Sequence, residues 1–483
     1  MIDPRKELFV WGPIDGRPIY VSYFMIAIAH DLPRAYGHKL PEILFYFKDD
    51  QMTFICDYEG LRAVGKKHFN IHFMNEKNLR ELEKSYAIAV TALERLQQGI
   101  SGEHLEALSD TNLLKLFREW EKRYLTFWTI GLVPEVANFG GEALLKEHLR
   151  RRIKNNNDFI HAFEKLSAPE RPSFYQQEEL DLLRLKNSKG FQALLKEHAK
   201  KYFWLRNSYF ETKELKTDYF RRALSEIPDA KAKITEIENL PKRIRSEKSR
   251  AIEKYRLGRE IAKIAKQLSH SIWWQDDRKK HIFISNHYID LFLKEISRRK
   301  MVAFRDLVFY WPTELAALIK SDGKVPSDEL KRRKKFALIH YHKDTLDYRT
   351  GKEEKVKPFL SGKEEEGRDV LKGMVVSIGK GPVRGNVRIL LTPRNVHRMK
   401  RGEILVAPMT SPDFIVAMRK ASAIVTDHGG MTSHAAIVSR ELGIPCIVGT
   451  KIATHVLKDN MKVEVDTKEG IVRRVRGGYG GKN

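Results

Sequence analysis

One histidine near the C-terminus stands in a pattern that suits phosphoryl chemistry. A buried strand is predicted to end at Thr426, a glycine pair follows, and a helix is predicted to begin near Ser433. His434 therefore lies in the first turn of that helix, where unpaired backbone amides and the helix dipole favour an anion. A neutral imidazole is also a competent nucleophile near pH 7, because its unperturbed pKa is about 6.5. These features make His434 suited to accept and pass on a phosphoryl group.

The neighbours of this histidine could support it. Thr432 and Ser433 carry hydroxyls that can orient the ring or bond a phosphate, and Gly429 with Gly430 allows a tight backbone turn. Arg440 follows one to two turns later and could add positive charge, although its spacing does not ensure that it faces the site. Taken alone, a histidine at a helix start is more often a cap or a solvated residue.

The sequence around the histidine resembles a known family. Residues 429–449 read Gly-Gly-Met-Thr-Ser-His-Ala-Ala-Ile-Val-Ser-Arg-Glu-Leu-Gly-Ile-Pro-Cys-Ile-Val-Gly. This run is similar to the swivelling phosphohistidine (mobile) domain of the PEP-utilising enzymes, in which PEP is phosphoenolpyruvate. That family includes phosphoenolpyruvate synthase, pyruvate phosphate dikinase, enzyme I of the sugar phosphotransferase system and rifampin phosphotransferase. The resemblance implies that His434 is the phosphorylated residue and that Thr432 contacts it or is a regulatory site.

Flanking segments extend the resemblance over residues 371–475. Residues 371–379 with 385–388 resemble the family's opening strand and glycine turn, and 407–413 resembles the capped helix that precedes the active strand. Residues 295–315 resemble, more faintly, the helical segment that leads into the mobile domain of phosphoenolpyruvate synthase and rifampin phosphotransferase.

The pattern of elements predicts a multidomain protein: a mainly α-helical N-terminal region with a small α/β start, followed by a swivelling β/β/α phosphohistidine domain. The predicted divisions begin with a small mixed α/β segment (1–74) and an α-helical domain for substrate or partner docking (75–350). A flexible linker rich in Lys, Glu and Gly (351–368), the phosphohistidine swivelling domain (369–476) and a Gly-rich tail (477–483) follow.

Apolar periodicity predicts the individual elements. Two β-rich runs joined by an acidic turn, 42–47 and 52–56, predict a hairpin. Helices with apolar residues at three-and-four spacing are predicted at 78–98, 111–133, 141–153, 176–185, 191–204, 213–227, 241–268 and 286–300. Short strands are predicted at 336–341, 374–378, 387–391, 403–407, 422–426, 445–448, 462–465 and 471–475, with helices at 411–420 and 433–442.

Composition limits the classes of function. The 483 residues carry a formal charge of +25, which would attract polyanions, phosphorylated ligands or an acidic partner. No recognition motif accompanies the charge, so nucleic acid is an unlikely partner. The two cysteines, the absence of a signal peptide and the lack of a membrane-length apolar run lead us to expect a cytoplasmic protein without a membrane partner.

The resemblance also defines what the chain lacks. We find no Gly-rich phosphate loop, and neither a nucleotide-grasping domain nor the PEP-binding barrel of the synthase fits in the remaining length. We therefore expect an incomplete phosphotransferase that needs a separate ATP-grasp nucleotide-binding protein, with Mg-ATP or PEP entering through that partner and no cofactor or metal bound by this chain. A small-molecule acceptor is possible, and the donor and the acceptor stay open. The alternative is a phosphorylation-controlled binding or regulatory module without its own turnover.

Other histidines and aromatic residues are expected to be structural. His428 could tune the pKa of His434 but is more often simply a loop residue in such a position. Aromatic residues at helical spacing are more typical of a core than of an acceptor pocket; they are Trp120, Tyr124, Phe127, Trp128, Trp273 and Trp274. Structural roles are also expected for histidines whose spacing does not indicate zinc, namely His281, His287, His340 and His342.

Overall fold

A computed structural model describes residues 2–3, 5–186, 188–351, 353–356, 359, 369–431 and 433–475. Within these residues, the chain forms a large helical region, a five-stranded sheet and a C-terminal eight-stranded sheet. The prediction of several domains, with helices first and a mixed sheet at the C-terminus, is confirmed at this level. Most of the predicted linker, the Gly-rich tail and Thr432 lie outside the described residues.

The first sheet is antiparallel and has the strand order β1-β3-β2-β4-β5. Its strands are β1 (Leu8–Asp15), β2 (Ile43–Lys48), β3 (Gln51–Asp57), β4 (Ala337–His342) and β5 (Thr345–Thr350). Asp49 and Asp50 join β2 to β3 with φ angles of 53° and 60°, as a tight hairpin turn requires. The predicted hairpin is thereby confirmed.

The last two strands of this sheet come from the far end of the helical region. Phe45 of β2 pairs with Ile339 of β4, so the predicted segment 75–350 ends in strands that belong to the sheet of segment 1–74. The spacing of residues within each segment cannot reveal such a pairing, because the two strands are separated by the whole set of helices.

The helices between these strands are amphipathic or fully buried. They are α1 (Pro18–Ile26), α2 (Leu32–Tyr36), α3 (Tyr58–His68), α4 (Glu76–Gln98), α5 (Gly102–Ala107), α6 (Asp110–Arg152), α7 (Asn156–Ser167), α8 (Phe174–Leu185), α9 (Phe191–Tyr202), α10 (Thr217–Ser225), α11 (Ala230–Lys254), α12 (Arg259–Lys300), α13 (Phe304–Leu307), α14 (Pro312–Ser321) and α15 (Ser327–Lys335). Single-turn π-helices follow α1 and α3, at Ala27–Asp31 and Phe69–Phe73.

Helix α6 differs from the prediction. Separate helices were predicted at 111–133 and 141–153, but one continuous helix spans both. Its Pro134 is buried and has no N–H to donate to the preceding turn, where the carbonyl of Gly131 accepts a hydrogen bond from Nη1 of Arg278 in α12 at 2.6 Å. A donor from a neighbouring helix that bonds a carbonyl of this turn lets a proline stay inside a helix.

The glycines of α6 serve close packing, not a helix end. A Cβ atom on Gly140 would lie 2.1 Å from the backbone of Gly65, so α3 and α6 can approach this closely only through these two glycines. The predicted helix 241–268 is also wrong in its bounds, since α11 ends at Lys254 and α12 begins at Arg259.

The second sheet is mixed and has the strand order β6-β13-β12-β8-β9-β10-β11-β7. Its strands are β6 (Val370–Lys372), β7 (Met374–Ser377), β8 (Val383–Ile389), β9 (Ile404–Ala407), β10 (Ala423–Thr426), β11 (Cys446–Val448), β12 (Lys462–Asp466) and β13 (Ile471–Arg474). Strands β8 to β11 are parallel neighbours, and their helices are α16 (Ile415–Met418), α17 (His434–Leu442) and α18 (Ala453–Val456). We call residues 369–475 the C-terminal segment.

The C-terminal segment lies against the first sheet and the helices. Arg394 Nε is 3.2 Å from Asp15 Oδ2, and Gln51 Nε2 donates to the carbonyl of Leu391 at 3.0 Å. The parallel strands of the segment carry buried apolar side chains that continue the hydrophobic core of the helical region. In the part of the chain that the structure describes, no helix is both long enough and apolar enough to cross a membrane.

Candidate functional site

His434 is the first residue of α17, eight residues beyond the end of β10. Ser433 caps this helix: its backbone is extended, with φ −67° and ψ 160°, and its Oγ accepts a hydrogen bond from the amide of Ala436 at 3.4 Å. The cap leaves the other first-turn amides available to an anion. The predicted position of His434 at the N-terminus of a helix is confirmed.

The glycine pair before the helix has two different roles. Gly429 has a φ of 126°, and a Cβ atom there would lie 3.0 Å from Oγ of Ser433, so only glycine fits without strain. The φ angle of Gly430 lies outside the left-handed region, and a Cβ atom there would lie 3.8 Å from Oε1 of Glu142 in α6. Gly430 thus marks the point where the histidine loop meets the helical region.

Thr410 holds the imidazole ring. Its Oγ1 lies 2.9 Å from Nδ1 of His434, and the threonine is buried. Thr410 follows β9, whereas His434 follows β10, and these parallel strands end at the same edge of the sheet. Sequence reasoning missed Thr410; the available signal was its place in the segment 407–413, which resembles the family's helix before the active strand.

Burial keeps His434 neutral. Desolvation lowers the pKa of the imidazole to about 3, and the positive charge of Lys279 in α12 adds to this shift. Lys279 itself is paired with Asp276, with Nζ 3.1 Å from the carboxylate. The ring is half-buried, not sealed in a core. A neutral ring at neutral pH keeps a nitrogen lone pair available for attack.

Asp427 anchors the loop that carries the histidine. The carboxylate is buried and accepts hydrogen bonds from the amide of Thr454 at 3.1 Å and from Oγ1 of Thr450 at 3.3 Å. The amide of the next residue, His428, donates to the carbonyl of Pro408 at 2.9 Å. The loop between β10 and α17 is therefore tied to both neighbouring connections. Asp427 was not singled out by the sequence, because its partners come from a later loop.

The remaining predicted site residues lie apart from the ring. Arg440 is directed toward β7, where its Nε donates to the carbonyl of Val376 at 2.7 Å, and burial lowers its pKa. His428 is half-buried, and desolvation lowers its pKa despite the opposing charge of Asp427. Thr432 lies outside the described residues.

The aromatic set of the helical region lies in the hydrophobic core. Trp120, Tyr124 and Phe127 are fully buried, and so is Trp128. They pack against one another, with ring centroids 4.9 Å apart between Trp120 and Tyr124. The expectation that these residues belong to a core is confirmed.

The face that carries His434 is turned toward α6 and α12. Glu142 approaches the loop at Gly430, and Lys279 influences the imidazole. Burial at this contact raises the pKa of Asp413, which follows Thr410 by three residues, against the opposing charge of Arg206. The histidine thus meets a helical surface that carries both signs of charge.

A cleft of about 420 Å³ opens between the helical region and the C-terminal segment. The helical side contributes Lys146, Arg150 and Phe159, and the other side contributes Met374 and Met431. Met431 lies three residues before His434 in the same loop. The lining carries both signs of charge, since Glu147 and Glu469 accompany Lys146 and Arg150 beside the apolar wall. Such a cleft suits a small amphipathic molecule.

Among the described residues, the histidine, cysteine and carboxylate groups close enough to hold a metal lie elsewhere. Glu42, His340 and His342 form such a group on the first sheet, not in the C-terminal segment. The free thiols of Cys56 and Cys446 are both buried.

The C-terminal segment is similar in sequence to known proteins. Residues 399–470 match the family model described as "PEP-utilising enzyme, mobile domain". A probable phosphoenolpyruvate synthase of Archaeoglobus fulgidus is 53% identical over 109 residues, 23% of this chain and 14% of the relative. The phosphoenolpyruvate synthase of Pyrococcus furiosus is 54% identical over 108 residues, 22% of this chain and 13% of the relative.

Other matches extend this picture. The phosphoenolpyruvate synthase of Aeropyrum pernix is 43% identical over 145 residues, 30% of this chain and 17% of the relative. The chain therefore spans only 13% to 17% of the length of these relatives. The holo-form of aconitase X from Thermococcus kodakaraensis aligns over 22% of this chain and 98% of that chain, at 20% identity and a TM-score of 0.18, which supports no structural conclusion. The C-terminal part of this chain is thus homologous to the mobile domain of PEP-utilising enzymes, as the sequence predicted.

Proposed function

We propose that the C-terminal segment carries a phosphoryl group on His434 and serves as one component of a phosphotransferase. The observation that carries this proposal is the placement of the ring at the first residue of α17, with Nδ1 2.9 Å from Thr410 Oγ1. Burial lowers the pKa of the imidazole and so favours its neutral form. If Nδ1 bears the proton and donates it to Thr410, the lone pair of Nε2 is free for the chemistry.

The transfer occurs in two in-line steps. In the first, the Nε2 lone pair forms a bond to phosphorus while the bond from phosphorus to the donor's leaving oxygen breaks, and that oxygen keeps the electron pair. The Nδ1 proton remains on the ring and continues to bond Thr410. In the second, an oxygen of the acceptor bonds phosphorus and the electrons of the N–P bond return to the imidazole. The amides of the first turn of α17 favour the anionic group while it is carried.

The donor enters through a separate protein in this proposal. The 13% to 17% of each relative that this chain matches is the mobile-domain region, so nucleotide chemistry is assigned to an ATP-grasp partner that brings magnesium with Mg-ATP, or to a partner that brings PEP. Thr432 and the linker 351–368 keep their predicted roles as an additional phosphate contact and as the tether that lets the segment swivel.

In this proposal the helical region is the place where the carrier delivers the phosphoryl group to the acceptor. Support comes from the way the His434 face is applied to α6 and α12, and from the adjoining cleft with Lys146 and Arg150. A cleft that combines cations and carboxylates with an apolar wall suits a small polar acceptor.

A labelling experiment tests the proposed carrier. The full chain is mixed with ATP or PEP, each labelled on the phosphoryl group to be transferred, in a lysate of the source cells. We expect label on the protein that is labile in acid and stable in alkali, and that disappears in His434→Ala. His428→Ala is the matched control, because it removes a histidine of the same loop and should keep the label. Label retained in His434→Ala would refute the proposal.

A second candidate is a phosphorylation-controlled binding module without its own turnover. It is favoured by Glu142, which meets the histidine loop at Gly430, since its carboxylate would repel a phosphoryl group on His434. The two candidates differ in the fate of the label: a phosphotransferase component passes it to a small molecule, whereas a binding module keeps it on the protein and changes its docking.

A further inference from the structure

The outer face of the first sheet carries two histidines and a glutamate that no part of the proposed phosphoryl chemistry uses. His340 and His342 are two residues apart on β4, so both side chains project from the same face of the sheet. Tyr341 pairs with Ile43 of β2 in antiparallel register, which places Glu42 directly opposite His342. Three potential ligands therefore meet on one face at the ends of adjacent strands.

The three side chains contact one another at hydrogen-bond and ion-pair distances, close enough for one ion to reach all of them. Nε2 of His340 lies 2.7 Å from Oε1 of Glu42, and Nδ1 of His342 lies 3.5 Å from Oε2 of the same carboxylate. One ligand atom from each residue falls within 4.8 Å of the other two. Ligands bound at about 2.0–2.1 Å around a tetrahedral zinc ion are about 3.3 Å apart. Small side-chain movements would open the space that an ion needs.

The surroundings favour a fixed site. The side chain of His340 is 8% exposed and that of Glu42 is 16% exposed, whereas His342 reaches the surface at 37%. On the same face lies a small separate core that includes Leu44, Leu338 and Phe336. The imidazole rings of His340 and His342 are nearly parallel, at 15°, with centroids 5.7 Å apart. Packing thus holds His340 and Glu42 in place, and the partly exposed His342 lies where an ion could enter from solvent.

The hydrogen bond between Glu42 and His340 does not satisfy the ring completely. Nδ1 of His340 is buried and makes no hydrogen bond to any described residue. Nε2, which faces Glu42, is the ring nitrogen of His340 that could bind an ion. The residue types suit such an ion, because imidazole nitrogens with one carboxylate bind zinc and its neighbours in the first transition series.

We propose that Glu42, His340 and His342 bind a divalent cation of the zinc type, with the fourth position open to water. The ion would link strands that are 298 residues apart in the chain and would fasten β4, the strand leading toward the C-terminal segment, to the hairpin of β2 and β3. Binding to the folded state alone would stabilise the first sheet. This inference is independent of the proposed role of His434.

Metal titration of the full chain tests the site. The protein is stripped with a chelator and titrated with Zn²⁺ against a chromophoric competitor, and with Co²⁺ while its visible absorption is followed. We expect one ion per chain and a Co²⁺ spectrum of low coordination number. The thermal unfolding midpoint should rise with Zn²⁺, in a manner that depends on its concentration.

Substitutions assign the ligands. His342→Ala should weaken Zn²⁺ binding at least tenfold and should fold, because the side chain is partly exposed; Glu42→Gln keeps the shape and removes the charge. His72→Ala is the matched control, since it removes a half-buried histidine from a different cluster and should leave the titration unchanged. The proposal is overturned if the parent chain takes up no ion under these conditions, or if folded His342→Ala and Glu42→Gln bind as the parent does.

Discussion

Oγ1 of Thr410 lies 2.9 Å from Nδ1 of His434, and this contact joins the loops that follow two neighbouring parallel strands. The contact fixes the plane of the imidazole and, when Nδ1 carries the proton, leaves Nε2 unprotonated. The Thr410 hydroxyl can accept a hydrogen bond from a protonated Nδ1 or donate one to an unprotonated Nδ1, and the proposed attack by Nε2 uses the first arrangement.

Replacing this hydroxyl should slow the loading of His434. Thr410→Val keeps the shape but leaves Nδ1 without its partner, at a cost of about 1–3 kcal/mol, which corresponds to a loss of rate of about 5-fold to 150-fold. The measurement is the initial rate of acid-labile labelling. Thr410→Ser, which restores the hydroxyl, should recover most of the rate. Equal rates for Thr410→Val and the parent chain would show that the contact does not set the tautomer.

The parts of the site that arise from neighbouring residues were predictable from the sequence. Ser433 as the cap, His434 in the first turn and the glycine turn at Gly429 all depend on contacts within a few residues. Thr410 and Asp427 were missed as site residues, because their partners lie 24 to 27 residues away in sequence. Such contacts exist only once the parallel strands have paired.

The fold shows the same division between local and distant effects. The hairpin of β2 and β3 follows from two adjacent apolar runs and an acidic turn, whereas the pairing of β2 with β4 spans the helical region and left no local signal. Pro134 lies between the two helices that the sequence predicted, and a proline inside a lone helix costs about 3 kcal/mol. Packing of α6 against α12, with Arg278 bonding the carbonyl of Gly131, outweighs that cost.

The contact between the C-terminal segment and the helices should weaken in acid. In the docked arrangement burial lowers the pKa of His434 to about 3, whereas a ring that swings into water returns toward about 6.5. A proton therefore binds more tightly to the undocked form. Docking is fully favoured above pH 6.5 and loses stability as the pH falls toward 4.

This linkage can be measured by small-angle scattering, as an increase in the radius of gyration between pH 6.5 and 4. His434→Asn, which does not titrate, should stay docked to lower pH than the parent chain. Asp15 and Asp413 also titrate at the contact and are present in both proteins, so the difference between the two curves reports His434. Coincident curves would contradict the assignment.

An ion pair at the edge of the first sheet should hold the same docked arrangement. Arg394 Nε is 3.2 Å from Asp15 Oδ2, the carboxylate is 9% exposed, and the guanidinium lies 5.2 Å from the ring centroid of Phe210. Arg394→Ala removes both contacts and leaves a nearly buried carboxylate unpaired, which should cost the docked form about 1–3 kcal/mol.

Hydrogen exchange at the amides of the loop 427–433 measures this effect, and we expect faster exchange in Arg394→Ala. Arg398→Ala is the control on the same surface, because Arg398 pairs with Asp459 inside the C-terminal segment at 2.6 Å. It should leave the exchange of the loop unchanged. Similar exchange in both variants would mean that the Asp15 contact does not stabilise docking.

The two glycines of the histidine loop should respond differently to the same substitution. Gly429→Ala places a Cβ atom 3.0 Å from Ser433 Oγ and forces alanine to a φ of 126°, so it should destabilise the C-terminal segment by about 1–3 kcal/mol and displace the cap of α17. Gly430→Ala meets Glu142 Oε1 only at an ordinary contact of 3.8 Å and should be tolerated. Thermal unfolding together with labelling of His434 distinguishes them: the first variant should lose both stability and label, and the second should keep both. If Gly430→Ala is the more damaging change, the loop approaches α6 more closely than the docked geometry allows, and the assigned roles of the two glycines are reversed.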